Sequence, residues 1–393
     1  MPSRRSILAG SAAAAFMAGA GSVSRAEASP GGLDRAALQE ALDRIVATGA
    51  TAALARVDGP AGNWRGASGV VELGRPARPV AGGRFRVGSI TKTFVATVVL
   101  QLVGEGRLRL DDTLERWLPG AIPNGARITI RDLLQHTSGV FNYTQVLFET
   151  VEEVLSARYH TFRPEELVAL AAAQPPVFEP GTAWEYSNTN YVLLGLIVRR
   201  VTGHAYGKEV DRRILRPLRL HGTEVPGTDV TIDGPHAHGY EPFEQDGEIV
   251  PLDFTDLNPS MAYSAGEIVS TTADLNRFYR SLLGGRLLRR AQLAEMLNPV
   301  GEERYGLGIY QQPLPGGPTL WGHSGGIFGF VTFSFSTPDA ATQASVSINP
   351  WLGDFSPALI DLLLAAFGVT APAARAAAPA VRLPAPGFRL PGA

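Results

Sequence analysis

Between residues 33 and 46, Leu33, Ala37, Leu38, Ala41, Leu42, Ile45 and Val46 recur at helical spacing, which predicts an amphipathic helix with one buried stripe. Residues 51–57, 64–73 and 84–87 are short, partly alternating and separated by Gly/Pro turns, the pattern of neighbouring antiparallel strands. After Ser89 the pattern changes to an apolar run over 90–105 with almost no polar face, a buried helix stopped by Gly106. Helical spacing then dominates from about 108 to 297, in 130–135, 164–173, 191–201, 273–283 and 290–297, with long loops between. Strand signal returns in 306–311, 319–321, 329–336 and 343–348, and 357–367 closes as a helix. Strands at both ends around a helical middle predict an α/β fold: an antiparallel sheet flanked by N- and C-terminal helices, with a helical domain inserted. The implied bounds are 33–88 and 298–370 for the α/β sheet domain and 89–297 for the mainly helical insertion, with no internal repeat.

The two ends follow other rules. Ser3-Arg4-Arg5-Ser6-Ile7-Leu8, an apolar run of small residues through Ala20, and Ala26-Glu27-Ala28 have the order of a twin-arginine export signal. Cleavage is expected after Ala28, which predicts a secreted protein. Residues 371–393 are Ala/Pro-rich without helical or alternating period, a predicted disordered tail. No later stretch is apolar for long enough to span a bilayer.

Composition narrows the chemistry. The 393 residues are 45% apolar, carry a formal net charge of −2 and include no cysteine. A thiolate zinc site, an iron–sulfur cluster and a cysteine nucleophile are excluded, and the near-neutral balance argues against a nucleic-acid partner. A small molecule or peptide is the expected partner. Of 35 basic residues only Lys92 and Lys208 are lysine. Arginine stays protonated at any working pH whereas a desolvated lysine can act as a base, so both positions invite attention. Lys208 lies on a polar helix face with Glu209, Asp211, Arg212 and Arg213 and reads as solvated.

Three segments carry candidate chemistry. In Gly88-Ser89-Ile90-Thr91-Lys92, Ser89 and Lys92 stand three residues apart at a helix opening, facing the same way. A buried lysine can take the serine proton, and the helix N-terminus offers N–H groups to an oxyanion. In Tyr186-Ser187-Asn188, a tyrosine near a lysine ammonium can exist as phenolate and relay protons, and the asparagine amide can hold a substrate carbonyl and the lysine together. Alone, this segment reads more readily as an N-cap asparagine beside a core tyrosine. In His323-Ser324-Gly325-Gly326, glycines in a strand mark close approach of another backbone or ligand. An edge strand here can pair with an extended peptide and set the Gly326 N–H opposite that of Ser89, with His323 facing Tyr186 and Lys92. Alone, it reads equally as a hairpin turn with a structural histidine. His236 and His238 lack a third ligand at a telling spacing, so no metal is expected, and no cofactor.

Taken together, in this order, the segments resemble the serine DD-peptidases and class C β-lactamases, most closely the secreted D-alanyl-D-alanine carboxypeptidases. The likeness runs from about Leu33 to Phe367. It includes His136-Thr137-Ser138-Gly139, Tyr186-Ser187-Asn188-Thr189-Asn190, Ser264-Ala265-Gly266 and Tyr305-Gly306-Leu307-Gly308. The resemblance implies that Ser89 is acylated, Lys92 and Tyr186 shuttle protons, Asn188 binds substrate and His323 stands where related lactamases carry lysine. It places Phe141, with Asn142 and Tyr143, at the cleft rim. It also marks three departures: Tyr310 replaces an arginine and Gly326 a hydroxyl residue that help hold a free carboxylate, and Met261 replaces a tryptophan. Ser324 keeps one hydroxyl there, and with Gly325 completes the expected substrate contacts. The expected function is an exported, monomeric active-site serine hydrolase working through an acyl-enzyme, a penicillin-binding D-alanyl-D-alanine carboxypeptidase. Alternatives are an esterase, amidase or D-amino-acid peptidase on the same machinery, a β-lactamase, and a non-catalytic penicillin or cell-wall receptor. Its substrate would be a small peptide, an ester or a β-lactam.

Overall fold

The computed structural model describes residues 32–369 except 246; the leader over 1–28 and the tail over 371–393 lie outside the described residues. In chain order the strands are β1 (Ala50–Gly59), β2 (Gly62–Gly69), β3 (Phe85–Arg86), β4 (Tyr240–Gln245), β5 (Glu248–Asp253), β6 (Val269–Ser270), β7 (Tyr310–Pro313), β8 (Thr319–Ile327), β9 (Phe330–Ser336) and β10 (Gln343–Pro350). Six form the main antiparallel sheet in the order β2-β1-β10-β9-β8-β7, so the first two strands join the last four, with Ala53 opposite Ile348. β3 pairs with β6, and β4 with β5, as separate two-stranded units.

Alternation along β10 sorts the two faces of the sheet. Ala344, Val346 and Ile348 enter a core shared with the helices Arg35–Ala47 and Ser356–Ala366. Ser345 turns the other way, where its hydroxyl donates to Asn276 Oδ1 at 2.7 Å, on the helix Thr272–Leu283, and lies 2.7 Å from Ser334 Oγ. On that face the Ser345, Ser334 and Asn276 side chains satisfy one another, while the buried Ser347 hydroxyl has no partner. The helix Arg35–Ala47 starts at Asp34, whose carboxylate accepts the Ala37 N–H at 3.0 Å, and buries Leu38, Ala41, Leu42 and Ile45. The helix Thr91–Gly104 is buried from Thr91 through Leu100, as expected of a run without a polar face.

The structure departs from the sequence pattern at several places. A 3₁₀ turn, Gly88–Ile90, precedes the nucleophile helix, so α-helix begins only at Thr91. The strand expected over 319–321 continues to Ile327, because Gly325 and Gly326 pair with Thr332 and Val331 of β9 instead of turning. The strand expected over 306–311 begins at Tyr310, after a turn closed by Gly306 N–H donating to the Ile309 carbonyl at 2.7 Å. The hairpin β4–β5 lies in a segment read as helices and loops; Pro242 opposite Pro251 masks its alternation. Among the described residues no helix is long and apolar enough to cross a membrane.

One buried acid, Glu267, follows directly on the Ser264-Ala265-Gly266 segment. Glu267 is buried, accepts from the Tyr206 hydroxyl through Oε1, and leaves Oε2 without a partner. Burial raises its carboxyl from 4.5 to about 8. A raised acid binds a proton in the fold that the unfolded chain releases, so stability falls as pH rises from the unfolded value toward about 8. Glu267→Gln is expected to raise the melting temperature at pH 8 and leave it unchanged at pH 4, measured by thermal denaturation.

Candidate active site

The nucleophile is presented by a turn that only glycine makes easily. Gly88 takes φ +53°, which bends the chain from β3 into the 3₁₀ turn and leaves Ser89 at the foot of the buried helix. A Cβ on Gly88 would lie 2.6 Å from the Gly326 nitrogen; one on Gly325 would lie 2.0 Å from the Val87 carbonyl oxygen and 2.6 Å from the Ser89 nitrogen. The glycines of both segments are therefore what lets β8 approach the serine backbone. Because β7 reaches only to Gly322 of β8, residues 323–327 have β9 on one edge and no strand on the other.

One turn after Ser89, Lys92 is fully buried. Its Nζ lies 2.9 Å from Ser89 Oγ, 2.8 Å from Asn188 Oδ1 and 2.7 Å from the Ala265 carbonyl oxygen. Asn188 opens the helix Asn188–Thr202, whose first N–H is taken by Asn142 Oδ1 at 3.1 Å. Ala265 is fixed by its neighbour Ser264, whose hydroxyl donates to the Tyr191 carbonyl at 2.8 Å. From the other side the Tyr186 hydroxyl donates to Ser89 Oγ at 2.7 Å. Ser89, Lys92, Tyr186 and Asn188 thus meet as the spacing anticipates.

Their protonation follows from burial and from the acceptors. Desolvation holds the Lys92 amine well below the usual lysine value and pushes the Tyr186 phenol above its own. Burial thus disfavours the charged form of each group, and the Tyr186 hydroxyl keeps its proton and donates it to Ser89. A neutral amine has two N–H groups and a lone pair. Asn188 Oδ1 and the Ala265 carbonyl can only accept, so they take the two N–H groups and the lone pair faces the Ser89 hydroxyl. In that neutral form the serine donates to Lys92 and accepts from Tyr186, whereas an ammonium at Lys92 donates to Ser89 Oγ. The Asn188 Nδ2 is buried without a partner, a donor still to be used.

The other expected contacts fall differently. His323 hydrogen-bonds elsewhere, with Nε2 2.8 Å from the Tyr305 hydroxyl and Nδ1 2.5 Å from the Ser324 carbonyl oxygen, while Lys92 is near enough to act on its ring electrostatically. A carbonyl beside Nδ1 requires the proton there, and burial lowers the imidazole to about 3, so His323 is a neutral brace within β8. Met261 packs in the main core, and only its carbonyl acts, accepting from the Tyr143 hydroxyl at 2.6 Å. Phe141 is half-buried, and its carbonyl accepts from Thr189 Oγ1 at 2.6 Å. Tyr310 is buried, 5.3 Å from the His323 ring, with its hydroxyl beside Ser324 and in no hydrogen bond of ordinary geometry. Among the described residues, no carboxylate or guanidinium acts on Lys92, Tyr186, Tyr310, His323 or His136. His236 and His238 stand apart: His238 Nδ1 is 2.6 Å from Asp253 Oδ2 and His236 Nδ1 is 2.8 Å from the Gly234 carbonyl oxygen. No group of three His, Cys, Asp or Glu side chains suited to a metal ion occurs among the described residues. Sequence reasoning gave no role to two contributors, the Ala265 carbonyl and His136. Each lay within a short motif, Ser-Ala-Gly or His-Thr-Ser-Gly, that was the available signal.

Residues 35–365 match the family model described as Beta-lactamase. A solved D-stereospecific amidohydrolase from Streptomyces sp. is 41% identical, with a TM-score of 0.79 over 86% of this chain and 100% of that one. The D-amino acid amidase from Ochrobactrum anthropi SV3, complexed with L-phenylalanine amide, is 28% identical with a TM-score of 0.74, covering 84% of this chain and 97% of that one. Penicillin-binding protein 4* of Bacillus subtilis (strain 168) is 29% identical over 263 residues, 63% of this chain and 56% of that one. The chain spans about half the length of the first curated relatives it matches. Since the family match runs from the first helix to the last and takes in the whole main sheet, the chain belongs to the beta-lactamase family and is a serine hydrolase of the fold shared with penicillin-binding proteins.

Proposed function

We propose that this chain is an acyl-enzyme-forming amidohydrolase for small D-amino-acid amides, short peptides and their esters. Ser89 passes its proton to the neutral Lys92 as Oγ attacks the substrate carbonyl, whose oxygen collects charge between the Ser89 and Gly326 N–H groups. Tyr186 gives its proton to the departing nitrogen and is reprotonated from Lys92, so the amine leaves and Lys92 and Tyr186 end as they began. Water then attacks the ester, the proton path reverses, and the acid is released. Asn188 Nδ2 is the donor available to a substrate carbonyl.

The observation that carries the substrate class is the uncharged lining. Tyr186 marks the side from which the leaving group departs, no carboxylate or guanidinium acts on it, and Tyr310 stands where the resemblance expects a carboxylate-holding arginine. A C-terminal carboxylate brought there would be desolvated without a cation to meet it, whereas ammonia, an amine or an alcohol leaves without that cost. The relatives named as a D-stereospecific amidohydrolase and a D-amino acid amidase support the same reading. This favours the amidase alternative over the D-alanyl-D-alanine carboxypeptidase that the motifs first suggest. In a direct comparison, kcat/KM for D-phenylalaninamide is expected to exceed that for an acyl-D-Ala-D-Ala peptide by at least about tenfold, the equivalent of one lost charge-assisted hydrogen bond. A preference for the free carboxylate would overturn the assignment.

A further inference from the structure

Tyr186 has to reach Ser89 from a segment that is neither helix nor strand, so something outside that segment must fix it. The amides on both sides of Tyr186 attach to a single residue. Glu185 N–H donates to the His136 carbonyl at 3.1 Å, and Ser187 N–H donates to His136 Nδ1 at 3.2 Å. The His136 ring also lies against the Tyr186 ring, with centroids 4.4 Å apart and planes tilted by 34°. We propose that His136 is a positioning residue that holds the Tyr186 hydroxyl at the leaving-group side of Ser89, so that its loss shows in proton delivery to the leaving group; this rests on the reading of Tyr186 as proton donor.

The local structure selects the histidine and its tautomer. His136 ends the helix Ile130–Gln135 in left-handed conformation at φ +66°, where His, Asn and Asp are tolerated better than most side chains. The Asn190 amide is oriented by Ser138, whose hydroxyl donates to Asn190 Oδ1 at 2.7 Å, and so turns Nδ2 toward His136 Nδ1 at 3.2 Å. Two donors converge on Nδ1, which must be unprotonated, leaving the hydrogen on Nε2. Burial holds the imidazole neutral. Nε2 has no hydrogen-bond partner, so the ring's polar work is all on the side that fixes Tyr186. Tyr305 and Tyr191, with ring centroids 4.8 and 5.4 Å away, close the remaining faces.

The test separates positioning from general structural damage. A p-nitroanilide of a D-amino acid needs a proton on its leaving nitrogen, whereas the matching p-nitrophenyl ester expels a stable anion unaided. For His136→Ala, kcat/KM is expected to fall about 100-fold on the anilide and less than about tenfold on the ester, within the range of one misplaced proton donor. His136→Asn keeps an acceptor close to Nδ1 and tolerates the left-handed backbone, so it is expected to recover at least about tenfold of the anilide loss. Equal losses on both substrates, or no recovery with asparagine while its melting temperature matches wild type, would overturn the role. A wild-type protein that hydrolyses neither substrate, or a Ser89→Ala variant that retains activity, would instead overturn the acyl-enzyme reading and this role with it.

Discussion

Lys92→Arg is expected to slow acylation of Ser89 by about 10³-fold or more, within the range of a lost general base. The substitution keeps a long basic side chain with hydrogen-bond donors, yet it removes the amine lone pair that faces the serine. The two carbonyl acceptors, Asn188 Oδ1 and Ala265, fix where that lone pair points in the native site. The wild-type pH profile carries the complementary signature. Lys92 works deprotonated, so kcat/KM falls as pH drops through its pKa, and burial places that acid limb well below the ordinary lysine range. Rapid-quench mass spectrometry of the Ser89 adduct measures acylation directly. A variant that acylates at the wild-type rate would remove Lys92 as the base.

Gly325→Ala is the second large effect. One added methyl cannot be absorbed by a side-chain rotation, because the atoms it meets are the backbone of Val87 and Ser89. Either β8 or the turn at Gly88 must move, and both candidate N–H donors for the oxyanion move with them. Loss of oxyanion donors costs about 10²–10³ in kcat, and overpacking costs about 1–3 kcal/mol of stability. Both are measurable, by steady-state kinetics and by chemical denaturation. Near-native activity in the alanine variant would show that β8 is not required so close to Ser89.

How much of this was legible depended on whether a feature was local. The spacing of Ser89 and Lys92 puts both on one side of a turn whatever surrounds them, and the unbroken apolar run after Lys92 foretells its burial. The helices over 130–135 and 273–283 appear within a residue of their expected bounds, because periodicity and caps such as Thr271, which accepts from Asp274 N–H, are short-range signals. The orientation of His323 was not legible, since it is set by Tyr305, a strand away, and by the Ser324 carbonyl. Gly325 and Gly326 could be read as a turn or as a close approach, and only the neighbouring turn at Gly88 decides between them. The protonation of Tyr186 was not legible for a similar reason: a residue pair in sequence does not reveal how little water surrounds it.

The pairing of β1 with β10 has a consequence for how the molecule comes to life. Ala53 waits for Ile348, so the central seam of the sheet closes only when nearly all the described chain has been made. Such long loop closures are slow compared with the formation of a helix such as Thr91–Gly104. Ser89 and Lys92 can come within reach of each other early, but the Gly326 backbone is delivered by β8, which β9 and β10 tie into that late seam. A growing or unravelled chain therefore carries the nucleophile without the surface that makes it reactive, and hydrolysis begins only with the final docking of the sheet.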